Sequence, residues 1–222
     1  MHGGAATFAV GNAPETANAQ PISVDVFVYR NRRPAALGRR VADIALGTLG
    51  FACALPVLTL AAAAIVLDDG LPITFVQRRV GRFGRTFSIF KLRTMRKDTG
   101  DGRSPTAAGD RRVTRAGAIL RRLSIDELPQ LLNVIRGEMS LVGPRPEMPF
   151  IVRSYEPWQH LRHLVKPGLT CLWQVSHRST VPLERPEATA LDLDYIANAS
   201  PALDALLVAK TFGAVIRPRG AY

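Results

Sequence analysis

Between Ile44 and Leu67 the sequence runs for 24 residues without a charged side chain. As one continuous helix such a run is about 36 Å long, enough to cross the hydrocarbon core of a bilayer. A core helix of a water-soluble protein seldom has that length and purity. Pro56 falls at the middle of the run, where it removes a helical hydrogen bond and leaves two apolar halves of about three turns each. A kinked span and a re-entrant hairpin both satisfy that pattern. The flanks favour the hairpin: Arg30, Arg32, Arg33, Arg39 and Arg40 precede the run, and Arg78, Arg79, Arg82, Arg85 and Lys91 follow it. Cationic flanks prefer the cytoplasmic side, so a straight crossing would strand one cluster. A hairpin sets both against anionic headgroups.

The charge is as uneven as the hydropathy. Residues 30–122 carry 19 basic against 6 acidic side chains, whereas residues 123–222 balance at 10 against 10. The net charge of +11 therefore originates around the apolar run and calls for an anionic partner: nucleic acid, lipid headgroups or a phosphorylated substrate. A nucleic-acid-binding protein would account for the charge and leave the apolar run unexplained, so membrane lipids and no nucleic acid are expected. Arg outnumbers Lys 25 to 4, which suits forked recognition of phosphate, although a GC-rich genome produces the same ratio. Cys53 and Cys171 are too few and too far apart for a metal set or a disulfide framework, which fits a reducing compartment. The first 29 residues lack the cationic start and apolar core of a secretory signal.

A chain of 222 residues has room for one domain beside the membrane element. Residues 1–29 read as a disordered tail, 30–73 as basic flank and membrane hairpin, and 74–222 as a domain on the cytoplasmic side. In that domain Thr74–Val80 and Thr86–Leu92 are rich in β-branched and aromatic residues, and the turn between them holds Gly81 and Gly84, which predicts a hairpin. Residues 97–112 read as a mobile loop. Thr114 can cap a helix with an apolar face of Ala116, Ile119, Leu120 and Leu123. Leu128, Leu131, Leu132 and Ile135 mark a second helix closed by Gly137. Leu203 to Ile216 predicts a further helix, either buried or lying on the membrane surface. The fold class expected is α/β and helix-rich, with α+β open.

The second helix opens on Ser124-Ile125-Asp126-Glu127-Leu128-Pro129. Pro129 belongs in or near a first turn, so Asp126 and Glu127 fall at a helix N-terminus, where free N–H groups keep a carboxylate ionised and attract phosphate. An ionised Asp beside a bound diphosphate can act as a nucleophile, given cations to offset the repulsion; Arg121, Arg122 and Arg145 are candidates. The competing reading is structural, with Ser124 and Glu127 forming a capping box. Arg145 stands between Pro144 and Pro146, a framing that would present its guanidinium at low entropic cost or be only a rigid turn. His160 and His163 lack further metal ligands nearby and read as structural. Trp173 reads as a core anchor, with stacking on a base as the alternative.

These segments, in this order, resemble the bacterial sugar transferase family, the monotopic phosphoglycosyl transferases that begin exopolysaccharide synthesis. The likeness runs from Arg40-Val41-Ala42-Asp43 through Lys91-Leu92-Arg93-Thr94-Met95 and Leu123–Pro146 to Lys166–Val175 and the terminal Arg219-Gly220-Ala221-Tyr222. What it implies is a re-entrant helix broken at Pro56 and a cytoplasmic catalytic domain at the bacterial inner membrane. Asp126 would be the nucleophile, with Glu127 beside it; both would serve magnesium, and Lys91, Arg121 and Arg145 would bind substrate phosphate. The implied reaction moves a hexose 1-phosphate from a UDP-sugar to polyprenyl (undecaprenyl) phosphate through a covalent aspartyl intermediate. The sugar itself and a homo-oligomer stay open. This sequence departs from the family pattern at Leu55, where Ser is frequent, and at Cys171 and His177, where Gly is usual. A non-catalytic membrane-anchored scaffold, with the dyad only a cap, is the remaining alternative.

Overall fold

One face of a single long helix packs against two short helices, a 3₁₀ turn and a strand that come later in the chain. The computed structural model describes residues 36–97, 109–176 and 185–216; the expected tail and most of the expected 97–112 loop lie outside them. Helix α1 spans Ala36–Asp69, 34 residues, or about 51 Å at 1.5 Å per residue. It continues through Pro56 instead of separating into two helices there. A proline costs the backbone one hydrogen bond, and three residues on Thr59 donates its hydroxyl to Leu55 O at 2.9 Å.

The inward stripe of α1 recurs at intervals of four or seven residues: Asp43, Gly47, Ala54, Ala61 and Ile65 are buried. Its outward side shows Leu37, Leu49, Leu60 and Leu67, each more than half exposed. The pattern inverts that of a soluble amphipathic helix, with small residues inside and leucines outside. Gly47 lies against Val134 and Ile135, and Gly50 faces Leu131. Ala61 and Ile65 join Leu92 and Leu120 in a cluster completed by Leu58, Ile73 and Ile125. Among the described residues α1 is the helix long and apolar enough to cross a membrane.

Both ends of α1 are tied to the same domain. At the start, Asp43 Oδ1 accepts from Ser140 Oγ at 3.0 Å and from Leu141 N at 2.9 Å. Arg40 donates to Val134 O and Ile135 O, both at 2.6 Å, and Arg39 pairs with Asp204 at 3.3 Å. At the finish, Arg93 donates to Asp69 O and Gly70 O, and Asp68 Oδ2 accepts from Ala116 N at 2.8 Å.

The hairpin forms where the pattern placed it: β1 (Thr74–Val80) and β2 (Thr86–Leu92) pair antiparallel, with Thr74 opposite Leu92 and Val80 opposite Thr86. Helix α2 (Arg115–Arg122) is capped by Thr114, whose side chain accepts from Gly117 N. Its inner face differs from the expected one. Gly117 and Leu120 are buried, whereas Ile119 is 60% exposed and Leu123 39% exposed. Gly117 faces the Thr94 carbonyl so closely that a Cβ there would collide with it, and this contact sets how α2 sits. A 3₁₀ turn, Ile125–Gln130, leads into α3 (Leu131–Arg136), which ends at Gly137 with φ +84°.

Strands β3 (Ser140–Val142) and β4 (Gly168–Thr170) form a second, parallel pair. Between them lie α4 (Pro149–Val152) and a 3₁₀ helix, Pro157–Leu164. Helices α5 (Leu172–Ser176), α6 (Pro186–Asn198) and α7 (Pro201–Ile216) close the described chain. Val142, Tyr195 and Leu207 make their common core, so α7 is packed through Leu207 while Leu206 is half-exposed. Two small sheets among many helices agree with the helix-rich α/β class.

Candidate active site

The 3₁₀ turn Ile125–Gln130 holds both acidic candidates, and its position follows from its neighbours. Leu120 and Ile125 sink into the cluster against α1, while the turn packs along β2, which supplies Lys91. Ser124 enters the turn at φ +54° and makes no side-chain capping bond, so the alternative capping box is not formed. Pro129 lies inside the turn, and the α-helix proper begins at Leu131. Asp126 and Glu127 therefore do not occupy the N-terminus of an α-helix, as the sequence pattern had placed them.

The five sequence candidates Lys91, Arg121, Asp126, Glu127 and Arg145 converge, three of them through hydrogen bonds and Asp126 and Arg121 through charge. Glu127 Oε1 accepts from Lys91 Nζ at 2.9 Å, and Arg145 spans both Glu127 oxygens, with Nη2 on Oε1 and Nη1 on Oε2 at 3.2 Å. Arg145 Nη1 also donates to Gln174 Oε1 at 2.9 Å. Arg121 is aimed by Thr94, whose Oγ1 accepts from Arg121 Nε at 2.8 Å, and its charge acts on Asp126. Asp126 itself is buried, and no hydrogen bond reaches its carboxylate among the described residues.

The two neighbours titrate in opposite directions. Burial pushes the Asp126 carboxyl up to about 6; Lys91 draws it back, and the adjacent Glu127 charge adds to the rise. Burial would also raise Glu127, but Arg145 and Lys91 together outweigh it and hold that carboxyl well below its ordinary value. Burial lowers Lys91 against the pull of Glu127. Helix-end stabilisation is thus not what governs Asp126; desolvation is.

The segment that carries Arg145 is fixed by its carbonyls. Pro144 O accepts from Gly168 N at 2.9 Å, Arg145 O from Arg162 Nη2 at 2.8 Å, Pro146 O from Arg79 Nη1 at 3.1 Å, and Glu147 O from Val80 N at 2.8 Å. Four consecutive acceptors are taken by β4, the 3₁₀ helix Pro157–Leu164 and β1. The two prolines offer no N–H in return.

Sequence reasoning missed Thr94, Gln174, Arg79 and Arg162 as parts of this site. Thr94 and Gln174 fell inside segments singled out for other reasons, and Arg79 was counted only as a flanking cation. Nothing local marks Arg162. Trp173 is buried with Cys171 and Ala188, as a core anchor should be. His163 stacks on Tyr155 and His160 meets it edge-on, and the two belong to no group of three metal-ligating side chains among the described residues. Cys171 is buried, its thiol pushed up to about 12 by desolvation; His177 lies outside the described residues.

A magnesium ion takes oxygen donors and is commonly held by one or two carboxylates together with substrate phosphates. Asp126 and Glu127 meet that donor requirement. Glu127 could contribute only after Lys91 or Arg145 shifts from it, and an incoming phosphate is the anion that would draw them away.

Comparison with known proteins gives a concordant picture. The family model described as bacterial sugar transferase matches residues 34–218. The chain is 43% identical over 194 residues to the UDP-glucose:undecaprenyl-phosphate glucose-1-phosphate transferase of Caulobacter vibrioides, covering 84% of this chain and 72% of that one. It is 37% identical over 203 residues to the exopolysaccharide production protein ExoY of Sinorhizobium fredii, covering 84% and 88%. The undecaprenyl-phosphate glucose phosphotransferase of Komagataeibacter xylinus is 39% identical over 218 residues, and the match takes in 91% of this chain but 40% of that longer protein.

Proposed function

We propose that this chain, which belongs to the bacterial sugar transferase family, moves a hexose 1-phosphate from a UDP-sugar to undecaprenyl phosphate and releases UMP. The observation that carries the reading is the contrast between adjacent carboxylates. Glu127 is saturated by Lys91 and Arg145, whereas Asp126 sits among the same cations with no hydrogen bond among the described residues.

In the first step an Asp126 oxygen attacks the β-phosphorus. A new P–O bond forms to the carboxylate, the bond from the β-phosphorus to the bridging oxygen breaks, and UMP leaves with that electron pair. In the second step an oxygen of undecaprenyl phosphate attacks the same phosphorus and returns the carboxylate. Arg145, Lys91 and Arg121 face the charge that accumulates on the transferring group. Magnesium, held by Asp126 and Glu127 when bound, would neutralise diphosphate charge. Splitting the reaction lets a soluble nucleotide and a lipid use one site in turn.

The same reading places α1 in the cytoplasmic leaflet of the inner membrane, entering and leaving on one side. Its support is the attachment of both helix ends, at Asp43 and at Asp69, to one domain, together with the outward leucines.

The test is incubation of purified protein with a panel of UDP-sugars and magnesium, with and without undecaprenyl phosphate. UMP released without acceptor, in an amount no greater than the enzyme, with label retained on the protein, is expected from wild type and not from Asp126→Asn. Full turnover by Asp126→Asn would exclude the covalent route. A wild type inert toward every UDP-sugar would exclude the substrate class.

A further inference from the structure

Arg145 meets the substrate from a backbone that is itself held by a charged side chain. Arg162, on the 3₁₀ helix Pro157–Leu164, has a side chain only 1% exposed. Burying a guanidinium is costly unless its charge and its donors are all answered. Here Nη2 pairs with Asp192 Oδ2 at 2.5 Å and donates to Arg145 O at 2.8 Å, while Nη1 donates to Tyr155 OH. Asp192 lies on α6 and is 2% exposed, and the Arg162 charge opposes the effect of its burial. Glu147, two residues past Arg145, adds its charge to the same centre.

A stable fold does not require an ion pair of this kind, since well-packed apolar residues often serve a core as well or better. What an apolar residue cannot do is donate to the Arg145 carbonyl. The location therefore matters more than the burial: one guanidinium joins α6 to the single peptide that carries the fork spanning Glu127.

We propose that Arg162, charge-balanced by Asp192, is a positioning residue for phosphate recognition, fixing the Arg145 backbone so that its guanidinium meets Glu127 and the substrate in one orientation. Arg162 touches no reacting atom and acts only through Arg145. The inference rests on the phosphate-binding role given to Arg145 above.

The test is a double-mutant cycle on the full chain in detergent. The kcat/KM for UMP release is measured for Arg162→Lys, Asp192→Asn, Arg145→Lys and the two pairs that include Arg145→Lys. Lysine keeps the charge beside Asp192 but cannot reach three partners from a planar fork. Each single variant is expected to lose roughly tenfold or more, and adding Arg162→Lys or Asp192→Asn to Arg145→Lys is expected to lose less than about threefold further. Leu207→Val, in the α7 core, supplies a destabilised control whose rate at a temperature where it is folded should match wild type. If Arg162→Lys does not fold, Tyr155→Phe, which removes one of the three contacts, replaces it in the cycle. Multiplicative losses would overturn the proposal, as would wild-type kinetics in Arg162→Lys and Asp192→Asn. A wild type that releases no UMP from any UDP-sugar would instead remove the reading on which it rests.

Discussion

Asp126 and Glu127 are joined by one peptide bond, yet Lys91 and Arg145 both bond Glu127 and neither bonds Asp126. The two carboxylates therefore contribute to stability with opposite signs. Asp126 is raised to about 6 in the fold, from about 3.9 in an unfolded chain, so its favourable contribution is complete below about pH 4 and is lost as pH rises through 6. Glu127 is lowered, so its contribution is present above about pH 4.3 and is lost as pH falls toward its folded value. At pH 8 Asp126→Asn should melt above wild type and Glu127→Gln below it, and the Asn advantage should shrink toward pH 4. Thermal unfolding in detergent across pH 4–8 checks both. An Asn variant less stable than wild type at pH 8 would contradict the desolvated state of Asp126.

Under the proposed mechanism the same proton governs the rate. A carboxylate nucleophile must be ionised, so kcat/KM for the UDP-sugar should fall as pH drops through about 6 and level off above it. The limb belongs to free enzyme and should appear in UMP release without acceptor. A profile flat down to pH 5 would show that ionised Asp126 does not take part before or during the first displacement.

Topology can be read with thiols, because Cys53 is exposed and Cys171 is buried. In a Cys53→Ser background, Gly38→Cys introduces a side chain with open space around it at the start of α1, and Ser176→Cys marks the end of α5. Both should resist a membrane-impermeant reagent in intact cells and react after permeabilisation. Labelling of one position alone in intact cells would mean that α1 crosses the membrane.

Gly117→Ala is expected to destabilise by about 1–3 kcal/mol, the usual range for forcing an atom into a packed core. Its Cβ would meet the Thr94 carbonyl, so either α2 or the Thr94 backbone must move. Thr94 Oγ1 aims Arg121, and the rate should fall together with the melting temperature. A variant that melts lower while keeping full activity would detach Arg121 from the phosphate site.

The local code made some of this legible and left the rest to tertiary contacts. Alternation of β-branched and aromatic residues, broken by Gly81 and Gly84, located β1 and β2 to the residue, and Thr114 announced its own helix. The inner face of α2 was misread because Gly117 has no side chain to register in a hydrophobic pattern, although its bare Cα is what permits the contact with Thr94. Ile119 and Leu123 looked like core and are exposed, since apolarity alone does not distinguish protein from other apolar surroundings. The acidic pair stood out in the sequence, but the contrast between its two members depends on Lys91, 36 positions away from Glu127, and on Arg145, 18 away. No window of sequence contains that arrangement.

Mutational tolerance in the peptide from Pro144 to Glu147 should follow an unusual rule. All four of its carbonyls already have donors, and Pro144 and Pro146 are buried. Replacing either proline by alanine would remove little volume, yet it would bring a backbone N–H into a buried place and oblige it to find an acceptor. The cost would come from a request the wild-type chain never makes. Such a position forbids most of the amino-acid alphabet through the one backbone hydrogen that proline lacks, and the side chain hardly enters the matter.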